Sequence, residues 1–150
     1  MKQPKDMRIL LVEDNPDDIE LTLRVFRKYH IINQIIVARD GEEALEHLFN
    51  SRKGIPEEER PDLILLDLKL PKVDGLEVLH QIKSHPRTQP IPVVILTSSK
   101  EEDDLIKSYQ LGVNSYIRKP VNFDNFIEVI RQLGLYWLLL NEPPPPPPEK

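Results

Sequence analysis

The stretch Asp62-Leu63-Ile64-Leu65-Leu66-Asp67-Leu68-Lys69-Leu70-Pro71 constrains the fold more than any other. Leu63 to Leu66 is an unbroken apolar run without polar alternation. A strand covered on both faces reads this way, and such strands belong to parallel sheets flanked by helices. The run ends on a carboxylate, Asp67, and a turn follows at Pro71 and Asp74-Gly75. In open parallel sheets ligands bind beyond the carboxyl ends of the strands, so Asp67 stands where chemistry is usually done. The competing reading is a plain cap or turn carboxylate.

The same pattern recurs along the chain. Arg8 to Val12 is a second buried run, and it ends on Glu13-Asp14. Asn15-Pro16-Asp17-Asp18 then starts a helix: Asn15 can cap, Pro16 suits the first helical position, and the acids favour the positive end of the dipole. Ile19, Leu23, Phe26 and Arg27 are expected to carry its inner face. Ile35 to Ala38 is a short strand, and Asp40-Gly41-Glu42-Glu43 opens a helix with the stripe Ala44, Leu45, Leu48 and Phe49. The polar segment 50–60 reads as a surface loop. Gly75 to Ser84 is a helix, His85 to Pro90 a loop, and Val93 to Leu96 a fourth strand ending on Thr97-Ser98-Ser99. Ser99 and Glu102 have capping-box spacing for a helix that carries Leu105, Ile106 and Tyr109 and closes at Leu111-Gly112. Ser115 to Ile117 is a fifth strand, ending on Arg118-Lys119-Pro120, and a last helix runs from about Asn122 to Leu140. Five strands alternating with five helices predict an α/β fold, a parallel sheet with helices on both faces.

A chain of 150 residues suits one domain with a sizeable core. The net charge of -5 disfavours bulk binding to nucleic acid or to an anionic membrane. There is no cysteine, which excludes disulfides and thiolate metal sites. The first seven residues lack a signal peptide's apolar stretch, and the longest apolar run, Leu135 to Leu140, is far too short to span a membrane. A cytoplasmic location is therefore expected. Six of the 15 prolines sit together at 143–148. The expected division is a domain over 7–140 and a proline-rich tail over 141–150, solvated and polyproline II in character.

Three strand ends carry reactive groups, Glu13-Asp14, Asp67 and Thr97, and a fourth carries Lys119. Central strands in one parallel sheet would bring them to one edge. With the flanks Val12-Glu13-Asp14-Asn15, Leu66-Asp67-Leu68-Lys69-Leu70-Pro71, Asp74-Gly75, Leu96-Thr97-Ser98 and Tyr116-Ile117-Arg118-Lys119-Pro120, the chain resembles the receiver domains of two-component response regulators over roughly residues 7–135. That resemblance implies a doubly wound five-stranded sheet in the flavodoxin-like order 2-1-3-4-5. It also implies that Asp67 is the phosphoacceptor, Thr97 the switch hydroxyl, Tyr116 the switch aromatic and Lys119 the phosphate-binding lysine. The Lys119-Pro120 bond would be cis. Magnesium would bind Asp14, Asp67 and the backbone carbonyl of Lys69 directly, and Glu13 through water.

Physical chemistry agrees independently. Glu13, Asp14 and Asp67 gather three negative charges against the one of Lys119, and like charges so close raise a carboxylate pKa and blunt a nucleophile. A divalent cation relieves both effects, and an all-oxygen donor set favours magnesium over zinc. The resemblance further implies that the donor is the phosphohistidine of a histidine kinase, with Lys69 and Ser99 flanking the water that later hydrolyses the phosphoryl group. The chain would be a phosphoacceptor and not an enzyme in the turnover sense. The 50–60 segment and the long last helix resemble the small stand-alone regulators paired with bacterial and cyanobacterial phytochrome kinases. The last helix also carries more apolar surface than one face needs. Leu135, Tyr136, Leu138, Leu139 and Leu140 are expected to form a homodimer seam, and the resemblance implies pairing through the fourth and fifth helices and the fifth strand.

Two rival readings remain. A haloacid-dehalogenase-type phosphatase also uses an aspartyl phosphate, but it wants a second Asp two residues on, where Lys69 stands. A phosphorylation-independent interaction module on the same fold is the other. Flavin or dinucleotide binding is disfavoured, because no glycine-rich loop follows Val12.

Overall fold

A computed structural model describes residues 8–28, 34–49, 60–98, 102–113, 115–119, 124 and 128. Five strands and four helices alternate within these: β1 (Arg8–Val12), α1 (Pro16–Lys28), β2 (Gln34–Ala38), α2 (Gly41–Phe49), β3 (Leu63–Leu66), α3 (Gly75–Ser84), β4 (Val93–Thr97), α4 (Glu102–Gln110) and β5 (Ser115–Arg118). All strand pairs are parallel, in the order β2-β1-β3-β4-β5. This is the expected doubly wound sheet. Of the predicted last helix only Asp124 and Glu128 are described, both helical; the Ser99 cap, the 50–59 segment, Pro120 and the Leu135–Leu140 seam lie outside the described residues.

The sheet is central because its strands are apolar on both faces. Leu10, Val12, Ile64, Leu66, Val93 and Ile95 point to one side and pack with Ala44, Leu48, Val78, Leu79 and Ile82 of α2 and α3. Ile9, Leu11, Leu63, Leu65, Val94, Leu96 and Ile117 point to the other and pack with Ile19 and Phe26 of α1. This alternation is the period of two in a strand, applied to residues that are apolar at every position.

The helix signals act as read, with two differences. The amides of Asp17 and Asp18 donate to Asn15 Oδ1 at 2.9 and 3.3 Å, and that of Glu43 to Asp40 Oδ1 at 2.7 Å. Asp74 caps α3 through Leu76 N at 3.1 Å. Gly112, at φ 96°, closes α4, with the Val113 amide reaching back to the Ser108 carbonyl. Arg27, expected on the inner face of α1, instead projects outward to Glu20. At 100° per residue it lies about 80° round the helix from Ile19, whereas Phe26 returns to within about 20°. In α4 only Leu105 of the three expected apolar residues is partly buried; Ile106 and Tyr109 are 46% and 52% exposed, while Asp104 and Ser108 face inward. The inward polarity is satisfied locally: Asp104 pairs with Lys69, and Ser108 Oγ donates to the Asp104 carbonyl.

Candidate functional site

Register decides where the site forms. Val12 lies opposite Leu66, Leu66 opposite Ile95, and Thr97 opposite Arg118. The ladder continues one residue past each strand: Glu13 N donates to Ala38 O, Asp67 N to Val12 O, and Lys119 N to Thr97 O, at 2.8–3.0 Å. Glu13, Asp67 and Lys119 are therefore held by backbone bonds as well as by their side chains. Thr97 continues the side of β4 that carries Val93 and Ile95, and Tyr116 pairs with Ile95 on β5. Thr97 is buried, and half-buried Tyr116 packs on the same face, against the α2–α3 cluster.

The β3–α3 loop below Asp67 is tightly packed. The Gly75 amide donates to the Leu68 carbonyl at 3.0 Å. A Cβ at Gly75 would run into the carbonyl oxygen of Asp67 and the Cα of Leu68, so only glycine fits there. Val73 N donates to Pro71 O at 2.8 Å across Lys72, whose φ of 68° makes this a positive-φ γ-turn. Two ion pairs flank the loop: Lys69 with Asp104 of α4 at 3.3 Å, and Lys72 with Asp40 before α2 at 3.5 Å.

Carboxylate oxygens of Glu13, Asp14 and Asp67 lie within 4.8 Å of one another. Glu13 and Asp67 are 3% and 4% exposed, and Asp14 is exposed. Asp67 Oδ1 accepts from Lys69 N at 3.2 Å, and Oδ2 from Lys119 Nζ at 3.1 Å. Glu13 Oε2 accepts from Asn15 N at 3.2 Å, and its Oε1 meets Lys119 Nζ. Burial, joined by repulsion from Asp67, pushes the Glu13 carboxyl up to about 7 against the opposing pull of Lys119. Burial depresses the Lys119 ammonium, but hydrogen bonds to Asp18 and Glu13 and the charge of Asp67 outweigh it and hold the group above its ordinary value.

Asp67 is thus not merely a turn former; Asp74 caps the following helix. The sequence reading missed Asp18, whose Oδ2 accepts from Lys119 Nζ at 2.8 Å. Its one signal in the sequence was its place in the acidic first turn of α1, which the helix dipole already explains. The Lys69–Asp104 pair was also missed, and no local pattern announces it, because the two residues meet only through the fold.

Residues 9–131 match the family described as "Response regulator receiver domain". The chain belongs to that family. Among its relatives, the probable methanogenesis regulatory protein FilR2 of Methanothrix harundinacea is 44% identical over 130 residues, 87% of this chain and 83% of that protein. Response regulator Rcp1 of Synechocystis is 44% identical over 131 residues, covering 87% of this chain and 88% of Rcp1. A solved structure of the Mn(2+)-bound form of Rcp1 superposes with TM-score 0.72 at 41% identity, over 93% of this receiver and 99% of that chain. The bacteriophytochrome response regulator AtBRR superposes with TM-score 0.76 at 52% identity, over 91% of this receiver and 98% of AtBRR.

The donor chemistry fits a hard divalent ion: three carboxylates, no sulfur or imidazole, and one neighbouring ammonium. Among the described residues no helix is long and apolar enough to cross a membrane.

Proposed function

We propose that this receiver takes a phosphoryl group from a histidine kinase onto Asp67 and passes the change to a protein partner. The observation that carries the reading is a single juxtaposition. A buried aspartate at a central strand end has one oxygen on Lys119 Nζ at 3.1 Å and shares a 4.8 Å cluster with Glu13 and Asp14.

An Asp67 oxygen attacks phosphorus in line, a P–O bond forms, and the P–N bond to the donor imidazole breaks, its electron pair remaining on nitrogen. Lys119 neutralises phosphoryl oxygens as they approach. Water later attacks phosphorus, releases inorganic phosphate and restores the carboxylate. Asp14, Asp67 and the Lys69 carbonyl would hold magnesium directly, with Glu13 acting through water. The ion's contribution when bound is to offset the excess negative charge during transfer. Thr97 and Tyr116 are the switch pair: they share one face of adjacent strands, so a Thr97 hydroxyl drawn toward the phosphoryl group changes the space beside the Tyr116 ring.

The kinase partner is of the phytochrome type, a reading supported by the similarity to the bacteriophytochrome response regulator AtBRR. The receiver acts in the cytoplasm and pairs with a second copy through the fourth and fifth helices. Exposed Ile106 and Tyr109 on α4 support the pairing surface.

Incubation with acetyl phosphate and Mg²⁺ tests the acceptor. Intact-mass analysis should show one added phosphoryl group, absent in Asp67→Asn. Labelling that survives Asp67→Asn places the acceptor elsewhere and refutes the reading.

A further inference from the structure

Lys119 touches three carboxylates, and one of them has no place in the chemistry above. Asp18 lies in the first turn of α1, outside the cluster formed by Glu13, Asp14 and Asp67. Its Oδ2 is 2.8 Å from Lys119 Nζ, closer than the 3.1 Å of Asp67. An ammonium has three protons, and Glu13, Asp67 and Asp18 occupy all three. The Lys119 side chain is 12% exposed and that of Asp18 34%, so Asp18 reaches the ammonium from the solvent side. An acid in this turn is favoured by the helix dipole, but exposed Asp17 serves that purpose equally. The contact with Lys119 distinguishes the two.

We propose that Asp18 is a positioning residue that anchors Lys119 at the mouth of the site while its other two protons turn from Glu13 and Asp67 to the phosphoryl oxygens. The proposal rests on Asp67 being the phosphoacceptor. Glu13 and Asp67 both belong to the carboxylate group suited to a divalent ion. A lysine tethered by those two alone would compete with the ion for the same oxygens, and would lose its fixed position once the ion prevailed. Asp18 takes no part in that contest, so its charge-assisted bond persists through every state of the site. It also restricts a long, flexible side chain in advance, which lowers the ordering cost when phosphate arrives.

The test uses the full chain with acetyl phosphate and Mg²⁺. Asp18→Asn preserves side-chain size and removes the charge; it should slow Asp67 labelling about tenfold, as expected for loss of one charge-assisted hydrogen bond. Asp18→Glu should restore the rate to within about threefold. Asp17→Asn makes the same charge change in the same helical turn and should leave the rate unaltered. A second readout needs no phosphorylation: acylation of Lys119 by acetic anhydride in the Mg²⁺-loaded protein, followed by mass spectrometry, should run several-fold faster in Asp18→Asn. Parent-like labelling and acylation in Asp18→Asn, or equal slowing by Asp17→Asn, overturns the anchor. If Asp67→Asn is silent and Asp18→Asn is as fast as the parent, the acceptor stands and the anchor alone falls. If Asp67→Asn still labels, both fall.

Discussion

Glu13 makes the stability of the metal-free protein depend on pH in a direction opposite to that of most paired carboxylates. Its folded pKa is about 7 against an ordinary 4.5, with burial the first cause and the Asp67 charge adding to it. Between those values the folded protein keeps a proton that the unfolded chain has released. The stability it contributes is therefore whole below pH 4.5 and lost as pH rises through 7. At about 1.4 kcal/mol per pH unit the loss is about 3 kcal/mol, a large part of the 5–15 kcal/mol typical of a domain. Urea unfolding in EDTA at pH 5, 6, 7 and 8 measures it. The parent should weaken from pH 5 to 7 and level off toward pH 8, and Glu13→Gln, which cannot ionise, should flatten the profile. Saturating Mg²⁺ should also flatten the parent's profile, because a nearby cation favours ionised Glu13 and removes the reason for the raised pKa. A parent and Glu13→Gln with the same slope in EDTA would refute the reasoning.

Gly75→Ala should destabilise the fold by about 3 kcal/mol, the upper end for overpacking, because the new methyl meets the Asp67 and Leu68 backbone rather than a movable side chain. The urea midpoint reads this, and Mg²⁺ affinity should fall with it as the strand end beneath Asp67 shifts. Under the proposed pairing, replacing Leu139 and Leu140 together with Ser should halve the solution mass measured by light scattering; an unchanged mass removes these residues as the dimer seam.

What the sequence disclosed and what it withheld follow from the range of each interaction. β1, β3 and β4 were legible because a fully covered strand must be apolar at every position, as in Leu63–Leu66. Helix starts were legible because caps act over two or three residues, as at Asn15 and Asp40. The carboxylates at strand ends were legible as a set because parallel strands begin and end together. The inward face of α4 was not legible: Asp104 is buried because Lys69, 35 positions earlier in the chain, comes to meet it. Arg27 lies about 80° round α1 from Ile19, so it pairs outward with Glu20 rather than joining the inner face. Asp18 was visible, but the dipole already accounted for an acid there and hid its second partner. The requirement for glycine at position 75 likewise reads as ordinary turn chemistry until the loop is seen folding back onto the backbone of Asp67.

The three-way grip on Lys119 also bears on how strongly phosphorylation can switch this receiver. Moving a two-state equilibrium nearly from one side to the other takes about 5.5 kcal/mol of preferential interaction. A Thr97 hydroxyl bonding to a charged phosphoryl oxygen supplies roughly 1.5–3 kcal/mol. Lys119 would make up the difference if it came to the phosphoryl group from solvent. It does not: it already bonds Glu13, Asp18 and Asp67, and only the difference between old and new partners counts. Under the proposed reading phosphorylation therefore biases the conformation without completing the change. The remaining free energy has to come from a surface that binds one state better than the other. Exposed Ile106 and Tyr109 lie on α4, the helix tied through Asp104 and Lys69 to the loop that leaves Asp67. A partner seated there would act on the same loop as the phosphoryl group, and linkage requires that each strengthen the other.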